Sequence, residues 1–196
     1  MPRFEFAHKF THKWEQGLVD HPNDPGGITK DGISIRFLKD YAQKNKIDND
    51  WLKSIGVLIP VVPDTIRSLT DDQIKAIYKR AFWDRLLPNT WPIITVVPLY
   101  DASVNSGYGQ SIRFLQRACN EFKGTPLDVD GLVGPKTRAR ANEIANTIKG
   151  GDLDLALKHI QFREEFLQTL VKTNPNMGVF LKGWLNRTSD LKRYIS

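Results

Sequence analysis

The chain has 196 residues, 40% of them hydrophobic, with 28 Lys and Arg against 22 Asp and Glu for a formal net charge of +6. That length can bury a sizeable core in one domain or two small ones, and the single cysteine, Cys119, excludes an internal disulfide and any multi-cysteine metal site. The positive balance attracts a polyanion through a field that salt weakens, but the basic residues are dispersed and no nucleic-acid motif accompanies them, so nucleic acid is not expected as a partner.

The opening Met1-Pro2-Arg3-Phe4-Glu5-Phe6 carries charges and aromatics and no apolar h-region, so it does not read as a secretory signal. The longest apolar stretches, 57–62 and 93–99, are broken by proline and too short to span a bilayer, and membrane insertion is not expected. Phe6, Phe10, Trp14 and Leu18 recur every four residues and predict one buried stripe on a first helix. His8 and His12 share a face of it, but without a third ligand or an HExxH pattern they read as packing or surface residues and no metal is expected.

Glu15 lies beside that stripe near the helix end, nine residues before Asp24 and fourteen before Thr29. Pro22 and Pro25 cannot continue the helix, and Gly26-Gly27 permit a reversal that brings Asp24 and Thr29 back towards Glu15. One carboxyl group on a rigid helix then faces a polar loop. Cleaving an acetal at neutral pH needs a proton for the departing oxygen, and negative charge or a positioned water for the oxocarbenium-like carbon. Burial favours the protonated form of a carboxyl group, as a general acid requires, whereas an open turn leaves a second carboxylate ionised. A threonine hydroxyl both donates and accepts and can hold a water beside that carboxylate. His21, flanked by proline, reads as solvated, with tuning of Glu15 as its second reading. Taken singly, a Glu near a helix end is solvated surface and Asp-Pro-Gly-Gly a common turn; the combination is what points to a sugar-cleaving site.

The run Glu15-Gln16-Gly17-Leu18-Val19-Asp20-His21-Pro22-Asn23-Asp24-Pro25-Gly26-Gly27-Ile28-Thr29-Lys30-Asp31-Gly32-Ile33 resembles the N-terminal signature of glycoside hydrolase family 108. Glu15, Gly17, Pro22, Asp24, Pro25, Gly26, Gly27, Thr29, Gly32 and Ile33 match it; Gln16, Leu18 and His21 depart from it, next to the acid and in the turn. The resemblance implies that Glu15 is the catalytic acid of an N-acetylmuramidase that hydrolyses the β-1,4 bond between N-acetylmuramic acid and N-acetylglucosamine in bacterial peptidoglycan. The order and spacing of Glu15, Asp24 and Thr29 are also similar to those of phage-type lysozymes, which by analogy gives Asp24 and Thr29 the task of positioning water. An endolysin-like, monomeric enzyme without a cofactor is expected; with no secretory signal it would accumulate in the host bacterial cytoplasm and reach the wall with the help of a holin, as the resemblance to the family's phage members implies. A lytic transglycosylase and a non-catalytic wall-binding protein on the same fold are the competing readings.

Further along, residues 28–35 alternate around Asp31-Gly32 and predict a very short hairpin that presents Thr29 to the cleft. Ser34 can cap a helix carrying Leu38, Tyr41 and Ala42, and after a Pro-bearing connector Thr70-Asp71-Asp72-Gln73 forms a capping box for a helix with Ile74, Ile77, Tyr78, Ala81 and Phe82 inside. Trp83, Trp91 and the prolines at 88, 92 and 98 mark an irregular passage whose aromatics belong to the core or, secondarily, to a sugar-stacking platform. A helix, a break at Gly107 and a second helix follow. Asp101, Val104, Asn105, Gly107, Leu115 and Gln116 resemble the opening of the predicted peptidoglycan domain that commonly follows a family 108 module. Asn105 suits an N-acetyl or hydroxyl contact, or simply ends its helix.

Asp128-Val129-Asp130-Gly131-Leu132-Val133-Gly134-Pro135-Lys136-Thr137 resembles a wall-binding repeat, in which Asp-Gly makes a turn and Pro135 starts a helix; its Asp-x-Asp-Gly lacks the further acidic ligands of a calcium loop. Helical segments continue to Ile148 and from Leu153 to about Leu170, and the closing 180–187 segment again resembles the family's ending, with Trp184 expected as a core anchor. The expected fold is therefore mainly α, lysozyme-like, with one small β-hairpin near 28–35. A muramidase portion over 1–97 packs against a helical peptidoglycan-binding portion over 98–196, and Tyr78, Tyr100 and Asn105 are the substrate-binding candidates.

Overall fold

The computed structural model describes residues 2–20, 27–44 and 46–196. It parts into two compact units, one of residues 11–81 and one of residues 1–10 with 82–196. The first division falls within helix α1 (Arg3–Glu15). Among the described residues the fold is mainly α, with one small sheet, as the sequence predicts.

In the 11–81 unit, the described residues include three short strands, β1 (Leu18–Val19), β2 (Thr29–Lys30) and β3 (Ile33–Ser34), in one antiparallel sheet. The expected hairpin is β2–β3, pairing Thr29 with Ser34 and Lys30 with Ile33. The strand β1 is an addition: Leu18 pairs with Lys30 and Val19 with Thr29. Ile33 is wholly buried while its neighbour Ser34 is only half-buried. A one-residue slip would exchange them, at about 2 kcal/mol for an isoleucine returned to water, which fixes the register.

Ser34 caps α2 (Ile35–Lys44), its hydroxyl accepting from the Phe37 N–H at 3.1 Å. Then come α3 (Lys46–Ser54), α4 (Pro63–Ser68) and α5 (Asp71–Tyr78). Thr70 and Gln73 make the reciprocal capping box of α5: the Gln73 N–H donates to the Thr70 hydroxyl and the Thr70 N–H to the Gln73 amide oxygen. Past Tyr78 the chain widens into a π-turn over Lys79–Trp83. The extra residue per turn shifts the buried position, so Trp83 is buried where Phe82 was expected, and Phe82 is half-buried.

The unit of 1–10 and 82–196 is built around α9 (Gly151–Thr173), which packs against α6 (Val96–Asn105), α7 (Tyr108–Asn120), α8 (Pro135–Thr147) and α10 (Gly178–Ile195). Trp83 and Trp91 are both core residues of it. So is Cys119, whose thiol burial pushes up to about 12, well away from the thiolate range.

Two expected faces are corrected. Along α1 the buried positions are Phe4, Ala7, His8, Phe10 and Thr11, while Phe6 is 37% exposed and Leu18 has left the helix for β1, 55% exposed. Phe6 is drawn outward because it stacks on Tyr194, with ring centroids 4.8 Å apart. Trp184 is half-buried rather than a core anchor and stacks on the exposed Phe180; Arg187, Thr188, Leu191 and Ile195 carry the buried face of α10 instead.

Candidate active site

Along α1, Phe4, His8 and Thr11 are spaced by four and three, and Glu15 is the next position on that face. The buried side of the helix therefore runs out at a half-buried carboxyl group on its last residue. Two residues later the chain is held by the hairpin tip: the Gly17 N–H donates to Asp31 Oδ1 at 2.7 Å and the Asp31 N–H donates to the Gly17 carbonyl at 2.9 Å. Asp31 and Gly32 have φ of 44° and 78°, the two left-handed positions of a type I′ turn.

Gly32 shows how tightly that tip sits on Glu15. A Cβ there would lie 3.0 Å from Glu15 Oε2 and would collide with the Tyr78 hydroxyl. Tyr78 is wholly buried, and its hydroxyl donates to the Asp31 carbonyl at 2.9 Å. The end of α1, the turn and α5 thus meet at one point inside the 11–81 unit, with a carboxyl oxygen beside Gly32, the turn position that carries no side chain. Tyr78, expected as a substrate contact, is a brace for the turn.

Thr29 is half-buried on the central strand of the sheet, with its hydroxyl donating to the Gly27 carbonyl at 3.3 Å. Its neighbour Lys30 reaches the C-terminal end of α4, donating to the carbonyls of Leu69 at 2.6 Å and Arg67 at 3.1 Å. Strand alternation sends Thr29 to the opposite face. Asp24 and His21 lie outside the described residues.

Tyr100 and Asn105 belong to the other unit. The Tyr100 ring is wholly buried, its hydroxyl 3.1 Å from His8 Nδ1 and its face edge-on to Trp83. His8 in turn stacks on Phe4, so it is a packing residue. Asn105 is exposed at the last position of α6, and its amide oxygen accepts from Arg163 at 3.0 Å. Arg163 also donates to Asp101 Oδ2 at 2.6 Å, and Arg187 grips both oxygens of the same carboxylate, through Nη2 to Oδ1 at 2.7 Å and Nε to Oδ2 at 3.1 Å. Burial pushes the Asp101 carboxyl up, but the guanidiniums of Arg187 and Arg163 outweigh it and hold the group well below its ordinary range. This cluster ties α6, α9 and α10 together. Sequence reasoning did not foresee it; the only signal was a second helix presenting Arg163 and a third presenting Arg187 opposite an acid on an apolar helix.

Among the described residues, no group of three or more His, Cys, Asp or Glu side chains is placed to hold a metal ion, and no helix is long and apolar enough to cross a membrane. The Asp130 carboxylate is occupied by Gln116 and by the Leu132 N–H, as a turn anchor.

Residues 8–107, just over half of the chain, match the family model described as glycosyl hydrolase 108, and residues 110–189 match the one described as predicted peptidoglycan domain. A solved structure described as that of Brucella abortus SagA has the same fold, with a TM-score of 0.69 and 23% sequence identity over 98% of this chain and 92% of that one. No curated protein matches the chain.

Proposed function

The chain belongs to the glycosyl hydrolase 108 family, and from that premise we propose that it is an N-acetylmuramidase acting on bacterial peptidoglycan, with Glu15 as the general acid. A glycoside hydrolase carrying a peptidoglycan domain has the wall as its natural substrate. The observation that carries the assignment of Glu15 is its carboxyl oxygen set against Gly32, at a helix end clamped to the hairpin by Gly17 and Asp31. A carboxyl group held beside a glycine, at a helix end fixed to the hairpin, can act on a glycosidic oxygen with little reorganisation.

Thr29, on the same sheet, and Asp24 would then order the water that attacks the anomeric carbon from the other face of the sugar. Asn105 is the exposed candidate for an N-acetyl or hydroxyl contact. Cytoplasmic accumulation, holin-assisted release and action as a monomer belong to the same endolysin-like proposal.

Mass spectrometry of digested, purified sacculi tests it. Wild type should leave reducing N-acetylmuramic acid ends; 1,6-anhydro ends would make the protein a lytic transglycosylase, and undigested walls a binding protein. Glu15→Gln should lower the rate at least a hundredfold while leaving the circular dichroism spectrum and sacculus binding unchanged. A Glu15→Gln variant with wild-type turnover would remove Glu15 from the mechanism.

A further inference from the structure

Within the unit of 1–10 and 82–196, the segment that links α7 to α8 and the first turns of α8 enclose an open groove of about 1060 Å³. The segment is pinned to α7 at several points. Gln116 donates to Asp130 Oδ1 at 2.7 Å and accepts from the Gly131 N–H at 2.9 Å. Asn120 pairs in both directions with the backbone of Leu127, at 2.9 and 2.7 Å. Arg113 donates to the Asp130 carbonyl at 3.0 Å. Gly131, at φ 78°, makes the reversal possible and is packed too closely against Arg113 and the Gly109 carbonyl to carry a side chain. A backbone tied down in this way nevertheless holds Leu132 67% exposed, on the groove. An apolar side chain kept in water by a fixed scaffold is a prepared contact surface.

The chemistry of the lining selects an occupant. Leu127, Leu132, Val133, Pro135 and Ala139 supply aliphatic walls, and no aromatic ring lines the groove, so it lacks the flat face on which a sugar ring stacks. Its rim has charges of both signs, with Asp128 and Lys136 both exposed. Lys136 stands in the first turn of α8, whose N-cap, Gly134, provides no side-chain acceptor, so the helix's positive end adds to the lysine's pull on a carboxylate. Small methyl groups, a carboxylate and an ammonium group are the features of the alanine-rich peptide that hangs from the glycan strand of peptidoglycan. We propose that this groove binds that stem peptide, separately from the Glu15 site. The inference rests on the reading of peptidoglycan as substrate and gives that substrate's peptide its own place on the chain.

Titration of the full chain with synthetic L-Ala-γ-D-Glu-diaminopimelate-D-Ala, and separately with a peptide-free N-acetylglucosamine oligomer, tests it by amide NMR. The peptide should shift the signals of Gly131, Leu132 and Lys136 saturably, and the sugar oligomer should leave them in place. Leu132→Asp should weaken the peptide at least tenfold, and Asp128→Asn, which alters only an exposed rim residue, should weaken it several-fold without touching the fold. Peptide shifts that bypass these residues, an oligomer that moves them equally, or both variants binding like wild type would overturn the proposal. Reducing ends released from sacculi by the same wild-type sample keep the two readings apart: cleavage without peptide binding sinks only the groove, and peptide binding without cleavage sinks only the muramidase.

Discussion

A methyl group at position 32 would fall 3.0 Å from the Glu15 carboxyl oxygen and on top of the Tyr78 hydroxyl, and the backbone there has a φ of 78°. Gly32→Ala therefore combines left-handed strain of about 1–2 kcal/mol with a displacement of the turn from the acid it faces. We expect it to lower stability by about 2 kcal/mol in urea titrations and to reduce wall lysis at least tenfold under conditions where the variant is still folded. Gly183→Ala is the contrast, because nothing lies within 4 Å of its added Cβ and the residue is inside α10. It should raise stability by about 0.5–1 kcal/mol and leave lysis alone. Tyr78→Phe isolates the brace: the Asp31 carbonyl loses a buried donor, at about 1 kcal/mol. Lysis should fall more than that modest loss of stability can explain, since the turn beside Glu15 is loosened. If Tyr78→Phe lysed walls at the wild-type rate, the hydroxyl would have no part in positioning the acid.

What is local in the elements was legible in advance. The Asp31-Gly32 turn, the Ser34 cap and the Thr70–Gln73 box each depend on residues within four positions of one another, and each is present. Thr70→Ala should accordingly cost about 1 kcal/mol, a fall in Tm of roughly 2–4 °C, with the rate per folded molecule unchanged. What is decided at long range was not legible. The outward turn of Phe6 depends on Tyr194, 188 positions away, and β1 exists only because Leu18 finds Lys30. The same distinction divides the candidate site. Glu15, Gly17, Asp31 and Gly32 lie in one continuous run that named itself, whereas the use of Tyr78 as a brace needs α5 to return to the hairpin, 47 residues from its acceptor. Periodicity marks Tyr78 and Tyr100 as inward-facing on their helices; it does not reveal that the Tyr78 hydroxyl donates to the Asp31 carbonyl or that the Tyr100 hydroxyl lies beside His8 Nδ1.

On the scale of the whole molecule, acid sensitivity follows from two groups buried around α9. His159 is wholly enclosed, and desolvation, with the nearby Arg163 charge second, lowers its imidazole to about 3. Nε2 carries the proton, because it lies 3.1 Å from the Ser111 carbonyl, which only accepts; Nδ1 is buried without a hydrogen-bond partner. The unfolded chain takes up a proton on this residue near its ordinary value of 6.5. Between those values the unfolded state binds the extra proton, so the stability associated with the neutral ring is complete above about pH 6.5 and is lost as the pH falls, by up to about 1.4 kcal/mol per unit. From pH 7 to pH 5 the loss comes to about 2 kcal/mol. Asp101 contributes nothing over that interval. Its carboxyl is held below the ordinary range, so the stability its ion pairs give begins to be lost only once the pH drops beneath about 4, where the unfolded carboxylate protonates first. Urea unfolding of wild type and His159→Gln at pH 7, 5 and 3.5 separates the two. The variant should lose the drop between pH 7 and 5 and keep the one below 4, whereas parallel profiles for the two proteins would mean that His159 is not the group that charges on unfolding.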